Sequence, residues 1–285
     1  MEVCAKNPDG SLKDERDYKF CTKYPSGGYK PTGTIQRYSD QLRLAAFGYV
    51  MDQTNSGSGG RYGGVLRAPM KFVGPRTFNT SGVETTPSTG NPVAEWDSTT
   101  GIFATNPDGD TTQSPGISGV INYLNKFGRT GPVAGRYKKF DPAAELYGET
   151  MRYLQGLNPS PLAVTGLTTA MYDGFPVFTD WTDLDPYKDR SNAADYSCVR
   201  SNIALIGDVN THESSRMLSN DVANNIPNIS YWTGIVQAFE KGSSVTYTDG
   251  QGLSQVTSNP NASNPSPKGD TVIGLAYWAD SHDIL

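Results

Sequence analysis

The apolar run Ser201-Asn202-Ile203-Ala204-Leu205-Ile206-Gly207-Asp208 ends abruptly in Val209-Asn210-Thr211-His212. If this run is a strand of an open α/β sheet, its carboxyl end is where such sheets hold ligands. Asp208, Asn210 and Thr211 would then offer oxygen atoms suited to a hard divalent cation, Mg2+ or Ca2+. The plainer reading is that Asp208 caps the turn that follows, as Asx residues commonly do. A second chemistry, a secreted hydrolase using Asp208 and His212, needs a nucleophile or a complete metal set beside them. Neither is evident in the sequence.

Other residue types narrow the choice. His212 and His282 are the only histidines. Zinc takes three or four nitrogen and sulfur ligands at recognisable spacing, which two histidines and three scattered cysteines do not provide. Gly57-Ser58-Gly59-Gly60 lies in a flexible glycine-serine stretch rather than on a strand-to-helix elbow, and no glycine loop stands where it would cradle phosphate. Asn106-Pro107-Asp108-Gly109-Asp110-Thr111 resembles half of a calcium loop but lacks the closing glutamate. It reads as a turn, as do Asp180-Trp181-Thr182-Asp183-Leu184-Asp185 and Asp249-Gly250.

Cys4 and Cys21 bracket a polar loop with no core of its own. A disulfide there would staple a hairpin and contribute roughly 3 kcal/mol; the alternative is three free thiols in a reducing compartment. Cys198 is left over, and its partner would have to lie elsewhere. The 285 residues carry a formal net charge of −5, with 19% charged residues and many Gly, Pro and Tyr. That balance suits an extracellular domain with long loops, and it excludes the clustered Lys and Arg of a nucleic-acid binder. No apolar run approaches the ~20 residues of a membrane span, and Met1-Glu2-Val3-Cys4 opens no signal peptide.

The elements that must position these residues follow from periodicity. Residues 41–50 are nearly continuously apolar, as in a strand buried on both faces. Val65 to Val73 alternates, with Leu66, Ala68, Met70 and Phe72 inward and Arg67, Pro69 and Lys71 outward, the pattern of an edge strand. Residues 74–116 form an irregular insertion pinned by Trp96 and Phe103. A helix is expected over 117–127, and another from Asp141-Pro142 to Gly156 with Leu146, Tyr147, Met151 and Leu154 inward. Ile203 to Asp208 is the next expected strand. A helix over 228–241 should bury Ile229, Trp232, Ile235, Val236 and Phe239. Residues 243–269 read as a polar loop, and a last helix starts at Asp270 with Val272, Leu275, Ala276 and Ala279 on one face. The order implies an α/β fold, a mostly parallel open sheet flanked by helices.

Several stretches, in order and spacing, resemble the PilC/PilY family of type IV pilus biogenesis and pilus-tip adhesion proteins. They are Tyr38 to Asp52, Gly63-Gly64-Val65-Leu66-Arg67, Ser118 to Gly128, Tyr137 to Tyr153, Ile206 to His212, and Leu275-Ala276-Tyr277-Trp278-Ala279. The resemblance implies a single partial von Willebrand A-like (Rossmann-like) domain over 1–285, with 1–37 as a cysteine-bracketed lead-in. It also implies that Ile203–Asp208 carries Asp208 to a metal-ion-dependent adhesion site. The site's leading Asp-x-Ser-x-Ser motif is absent; Asp189-Arg190-Ser191 and Asp195-Tyr196-Ser197 begin similarly and then depart. An internal fragment, with strands before Met1 and after Leu285, accounts for that absence. The family further implies a non-catalytic protein at the cell surface, outer membrane or pilus tip. Its partners would be pilins, pilus-tip proteins, host or surface ligands, and a C-terminal β-propeller of the same polypeptide.

Overall fold

The computed structural model describes residues 4–13, 19–51, 64–127, 142–187, 190–191, 199–206, 226–241, 243–248, 254–260 and 270–282. The chain divides into two compact units: Met1–Ala46 with Arg67–Phe127, and Phe47–Leu66 with Gly128–Leu285. Strands β3 (Arg43–Tyr49) and β4 (Gly64–Phe72) pair with each other, and the unit boundary falls within each of them.

The first unit opens with the hairpin β1 (Cys21–Lys23) and β2 (Tyr29–Pro31), antiparallel with Cys21 opposite Pro31. It is followed by a single helical turn, α1 (Thr34–Arg37). Three residues a strand are too few to stand alone in water. The hairpin is held by the Cys4–Cys21 disulfide and by Lys6, whose ammonium donates to the Gly27 carbonyl at 2.9 Å. It is also held by Tyr24, whose ring covers Gly101. A Cβ on Gly101 would come within 2.5 Å of that ring, and its φ of +68° already favours glycine. Replacing both Cys4 and Cys21 by serine is expected to lower stability by about 3 kcal/mol, the loop-closure entropy for a bridge of this span. Urea unfolding followed by far-UV circular dichroism measures it, and an unchanged midpoint would refute it.

Residues 74–118 contain isolated bridges, Phe78 to Glu84 and Trp96 to Phe103, in place of regular elements. Trp96 is buried, whereas Phe103 stays 41% exposed, so Trp96 alone supplies the apolar anchor. The segment ends in α2 (Val120–Lys126), shorter by a turn than its apolar stripe suggests.

The second unit is built round α3 (Ala143–Leu154) and the later pair α5 (Ile229–Lys241) and α6 (Asp270–Ser281). A short helix, α4 (Pro161–Val164), lies between them in sequence. Ala144, Met151, Ile229, Leu275 and Trp278 form one buried cluster; Val50, Val65, Ala163 and Val177 form another. Helices α5 and α6 meet closely at Gly274, where an added Cβ would lie 2.5 Å from the Thr233 amide nitrogen and 2.6 Å from Thr233 Oγ1. Gly274→Val should therefore force the helices apart and cost about 1–3 kcal/mol. A thermal midpoint within one degree of the parent protein would show that the crossing yields freely.

Five expectations need correction. Among the described residues the strands form three separate two-stranded sheets, and no parallel sheet is present. The helical stripes of α3, α5 and α6 are satisfied by one another, so a sheet is not needed to cover them. Arg67 and Lys71 do not face solvent. Arg67 is fully buried with its guanidinium 5.5 Å from the Tyr123 ring, and the Lys71 side chain is 11% exposed. Leu66 also bridges Phe178, so β4 is covered rather than an open edge. Phe239 is 90% exposed, because the buried stripe of α5 runs through Ile229, Thr233 and Gln237. Two positions beyond Gln237 lies about 200° round the helix. Residues 243–269 include an antiparallel hairpin, β5 (Ser243–Thr248) and β6 (Ser254–Pro260), whose β-branched residues were hidden by the polarity around them. Residues 201–206 form no strand, and Ile206 is 88% exposed. With no neighbouring strand to pair with among the described residues, an apolar run of this kind has no ladder to join.

Candidate functional site

Asp208, Asn210, Thr211 and His212 lie outside the described residues, as do Cys198 and Asp141. The segment leading to them, 201–206, has no regular secondary structure and is largely exposed, with Ile203 packed on the α3–α5–α6 cluster. His282 follows α6. Its ring stacks on Trp278 at 5.3 Å and meets the Trp232 ring edge-on at 4.9 Å. Its Nδ1 lies 3.0 Å from both the Trp278 carbonyl and Ser281 Oγ. These contacts close the end of the α5–α6 pair. On the adjoining helix, burial and then the Asp280 carboxylate push the Tyr147 hydroxyl above its usual range.

The acidic stretch at 180–185 forms the turn its sequence suggests, Asp249 and Gly250 lie outside the described residues, and Asp97 and Asp9 form turns of the same kind. The Asp180 carboxylate accepts from the amide and hydroxyl of Thr182 at 2.9 and 2.6 Å. Asp97 accepts from the amides of Thr99 and Thr100 and from the Thr100 hydroxyl. Asp9 does the same with Ser11. In each the hydroxyl bond is the first cause holding the carboxyl below its ordinary range, with the amide bond second. All three are exposed, and their geometry is that of a self-capping turn.

The turn at 106–110 differs, because it belongs to a buried charged cluster in the first unit. Glu95, 1% exposed, accepts from the amides of Val120 and Ile121 at 2.7 Å each, one on each carboxylate oxygen. It thereby caps α2, whose preceding residue Gly119 has a φ of +96° and no side chain to do so. Lys71 reaches Glu95 Oε1 at 3.2 Å and also ion-pairs with Asp108 Oδ1. Asn106 folds the turn on itself. Its Oδ1 accepts from the Asp110 amide at 2.8 Å and from Ser118 Oγ at 2.7 Å, while its Nδ2 donates to the Asp110 carbonyl at 2.9 Å. Asn122 ties α2 to the same loop through the carbonyls of Ala104, Thr105 and Ser118. The sequence flagged Asp108 and Asp110. It gave no signal for Glu95 or Lys71, which appear as ordinary members of an insertion and of an outward strand face. Among the described residues, no three His, Cys, Asp or Glu side chains converge to hold a metal by themselves.

The described chain is thus a mixed α/β protein segment, disulfide-bonded and rich in ordered loops, with no described helix long and apolar enough to cross a membrane. It is 39% identical over 214 residues to the type IV pilus biogenesis factor PilY1 homolog of Xylella fastidiosa, and the match covers 70% of this chain. The chain belongs to the PilY family. It spans only 16% of that relative's length. No family model matches the chain, and no solved structure matches it either.

Proposed function

We propose that this chain is a segment of an exported type IV pilus biogenesis factor that takes part in pilus assembly and surface adhesion by binding, without catalysis. The observation that carries this is the 39% identity to the PilY1 homolog across most of the chain. The Cys4–Cys21 bond supports the exported location, because stable disulfides belong to oxidising compartments. Its partners on this reading are pilins or pilus-tip proteins and surface ligands, together with the remainder of the longer polypeptide. The decisive experiment deletes the codons for this segment from the full-length gene and asks whether the product restores surface pili to a null strain. Pili at wild-type number would overturn the reading; their loss, with the shortened protein still exported, is the expected result.

The finer reading keeps a von Willebrand A-like arrangement in the complete protein. Asp208, with Asn210 and Thr211, would hold a Mg2+ or Ca2+ ion that bridges a carboxylate of the partner. On that reading, Asp208→Ala in the full-length protein lowers partner binding at least tenfold and removes its sensitivity to chelator. Binding that is unchanged by both the substitution and EDTA would end it.

A further inference from the structure

We propose that Lys71 and Asp108 condense into an intramolecular isopeptide bond, with Glu95 moving the proton, so that β4 is tied covalently to the loop that covers it. The inference rests on the buried cluster of the first unit and is independent of the pilus reading. Lys71 Nζ donates to Asp108 Oδ1 and lies 3.2 Å from Glu95 Oε1. The side chains of Lys71, Asp108 and Glu95 are 11%, 8% and 1% exposed. Each is held from behind. Lys71 projects from β4, the Asp108 amide donates to Ser118 Oγ at 2.9 Å, and both Glu95 oxygens are fixed by the first amides of α2. A Cβ on Gly119 would lie 2.9 Å from Glu95 Oε1 and 2.7 Å from Pro107 Cγ, so the backbone there packs directly on the carboxylate.

An amine, a carboxyl group and a second carboxylate within reach of both are what amide formation needs. Ion pairs in water do not condense, because both groups stay charged and hydrated; burial strips that water and disfavours the charges. Moving one proton from the Lys71 ammonium to Asp108 gives an amine and a carboxylic acid with no change in net charge. Asp108 Oδ2, buried with no hydrogen-bond partner, is the oxygen that gains most from it. The Lys71 nitrogen then bonds to Asp108 Cγ. Glu95 takes a proton from that nitrogen and returns it to the departing Asp108 oxygen, whose bond to Cγ breaks, and water leaves. Nothing is oxidised or reduced, the new amide keeps an N–H for Glu95, and Glu95 ends as it began. Fixed contact between the reacting groups and a positioned acid–base supply the rate.

Neighbouring groups lack one of these features. Asp110 also has a buried oxygen without a partner, but its other oxygen accepts from the amide and hydroxyl of Thr112 at 3.0 and 2.6 Å rather than from an amine. The pairs Arg76–Asp40 and Arg190–Asp185 are more exposed and use a guanidinium, which keeps its proton. The bond would join residues 37 apart, across an insertion held by isolated bridges in place of regular elements.

The test is peptide mapping of the full-length protein purified from cells, reduced, alkylated and digested with trypsin. Trypsin does not cut after an acylated lysine. The expected product is therefore one branched peptide with two N-termini, Ala68 and Thr77, joining residues 68–76 to residues 77–126. Fragmentation should place the link between Lys71 and Asp108, and the branched peptide should be one water lighter than its two parts. Glu95→Gln should leave most chains unlinked, since losing a positioned acid–base group slows such a step by roughly 100-fold or more. Asp108→Ala should abolish the link. Release of the free peptide 72–76 from the parent protein, with no branched product, overturns the proposal whatever the variants do. So does a water-light 77–126 peptide unattached to Lys71, which would assign the lost water to a succinimide at Asp108-Gly109. Linkage undiminished in Glu95→Gln would refute the proton transfer given to Glu95.

Discussion

Glu95→Ala is expected to destabilise the first unit by about 3–5 kcal/mol, the range found when one member of a buried, hydrogen-bonded ion pair is removed. Three groups lose their partner at once. The amides of Val120 and Ile121 are each left without an acceptor at the start of α2, and the Lys71 ammonium keeps only Asp108. Each orphaned buried donor costs ~1–3 kcal/mol, and water cannot easily enter beside a side chain 1% exposed. Glu95→Gln should cost less, about 2 kcal/mol, because its carbonyl still accepts one amide while its NH2 faces the other. Adding Lys71→Met to Glu95→Ala should recover part of the loss, since the uncompensated charge goes with it. Equilibrium urea unfolding of the four proteins gives these differences. A loss below about 1 kcal/mol for Glu95→Ala would mean that α2 finds another cap and that the cluster carries little of the fold.

How far the sequence could have led to this cluster depends on which physical signal each residue leaves. The helices were legible because their apolar residues recur at a helical period: α3 stops at Leu154, just before Gly156 with its φ of +71°, and α6 begins at Asp270 as its acid suggested. Of the two strands over 41–73, the first was legible as a continuous apolar run and the second as alternation at period two. What the alternation of β4 could not show is that its polar face is covered. Arg67 and Lys71 look like solvent-facing charges, yet α2 and the 74–118 loop fold over them through Tyr123, Glu95 and Asp108. Those partners stand 24 to 56 residues away from them, beyond the reach of any local pattern. Phe239 failed for a different reason: its period fits either of two faces, and the close approach of Gly274 to Thr233 selects the one that leaves it outside. The Asp108–Asp110 turn sits between these cases. Its residue types were visible, but its burial and its two unpaired oxygens were not.

Trp181→Ala should have the largest effect in the second unit, about 3–5 kcal/mol, as for other buried Trp truncations. The ring is 3% exposed and closes a triangle with Phe47 and Tyr153. All three pairs meet edge to face: Trp181 lies 5.9 Å from Phe47 and 5.3 Å from Tyr153, and those two lie 5.6 Å apart. Each such pair adds ~0.5–1.5 kcal/mol beyond the area it buries, and alanine at 181 removes two of them together. The indole also donates to the Phe178 carbonyl at 2.9 Å, and the Phe178 amide in turn donates to the Leu66 carbonyl of β4. Loss of the ring therefore loosens the segment that covers β4 as well as leaving a cavity. Two milder variants separate these contributions. Trp181→Phe keeps a ring and loses the indole bond, for about 1–2 kcal/mol. Tyr153→Phe keeps the triangle and loses only the hydroxyl's 2.6 Å bond to the Leu184 carbonyl, for about 1 kcal/mol. If ring packing in the triangle supplies most of the stabilisation, Trp181→Ala must exceed the sum of these two, measured by urea unfolding under one set of conditions. A Trp181→Ala protein no less stable than Trp181→Phe would place the energy in the indole bond, and the triangle would be mere filling.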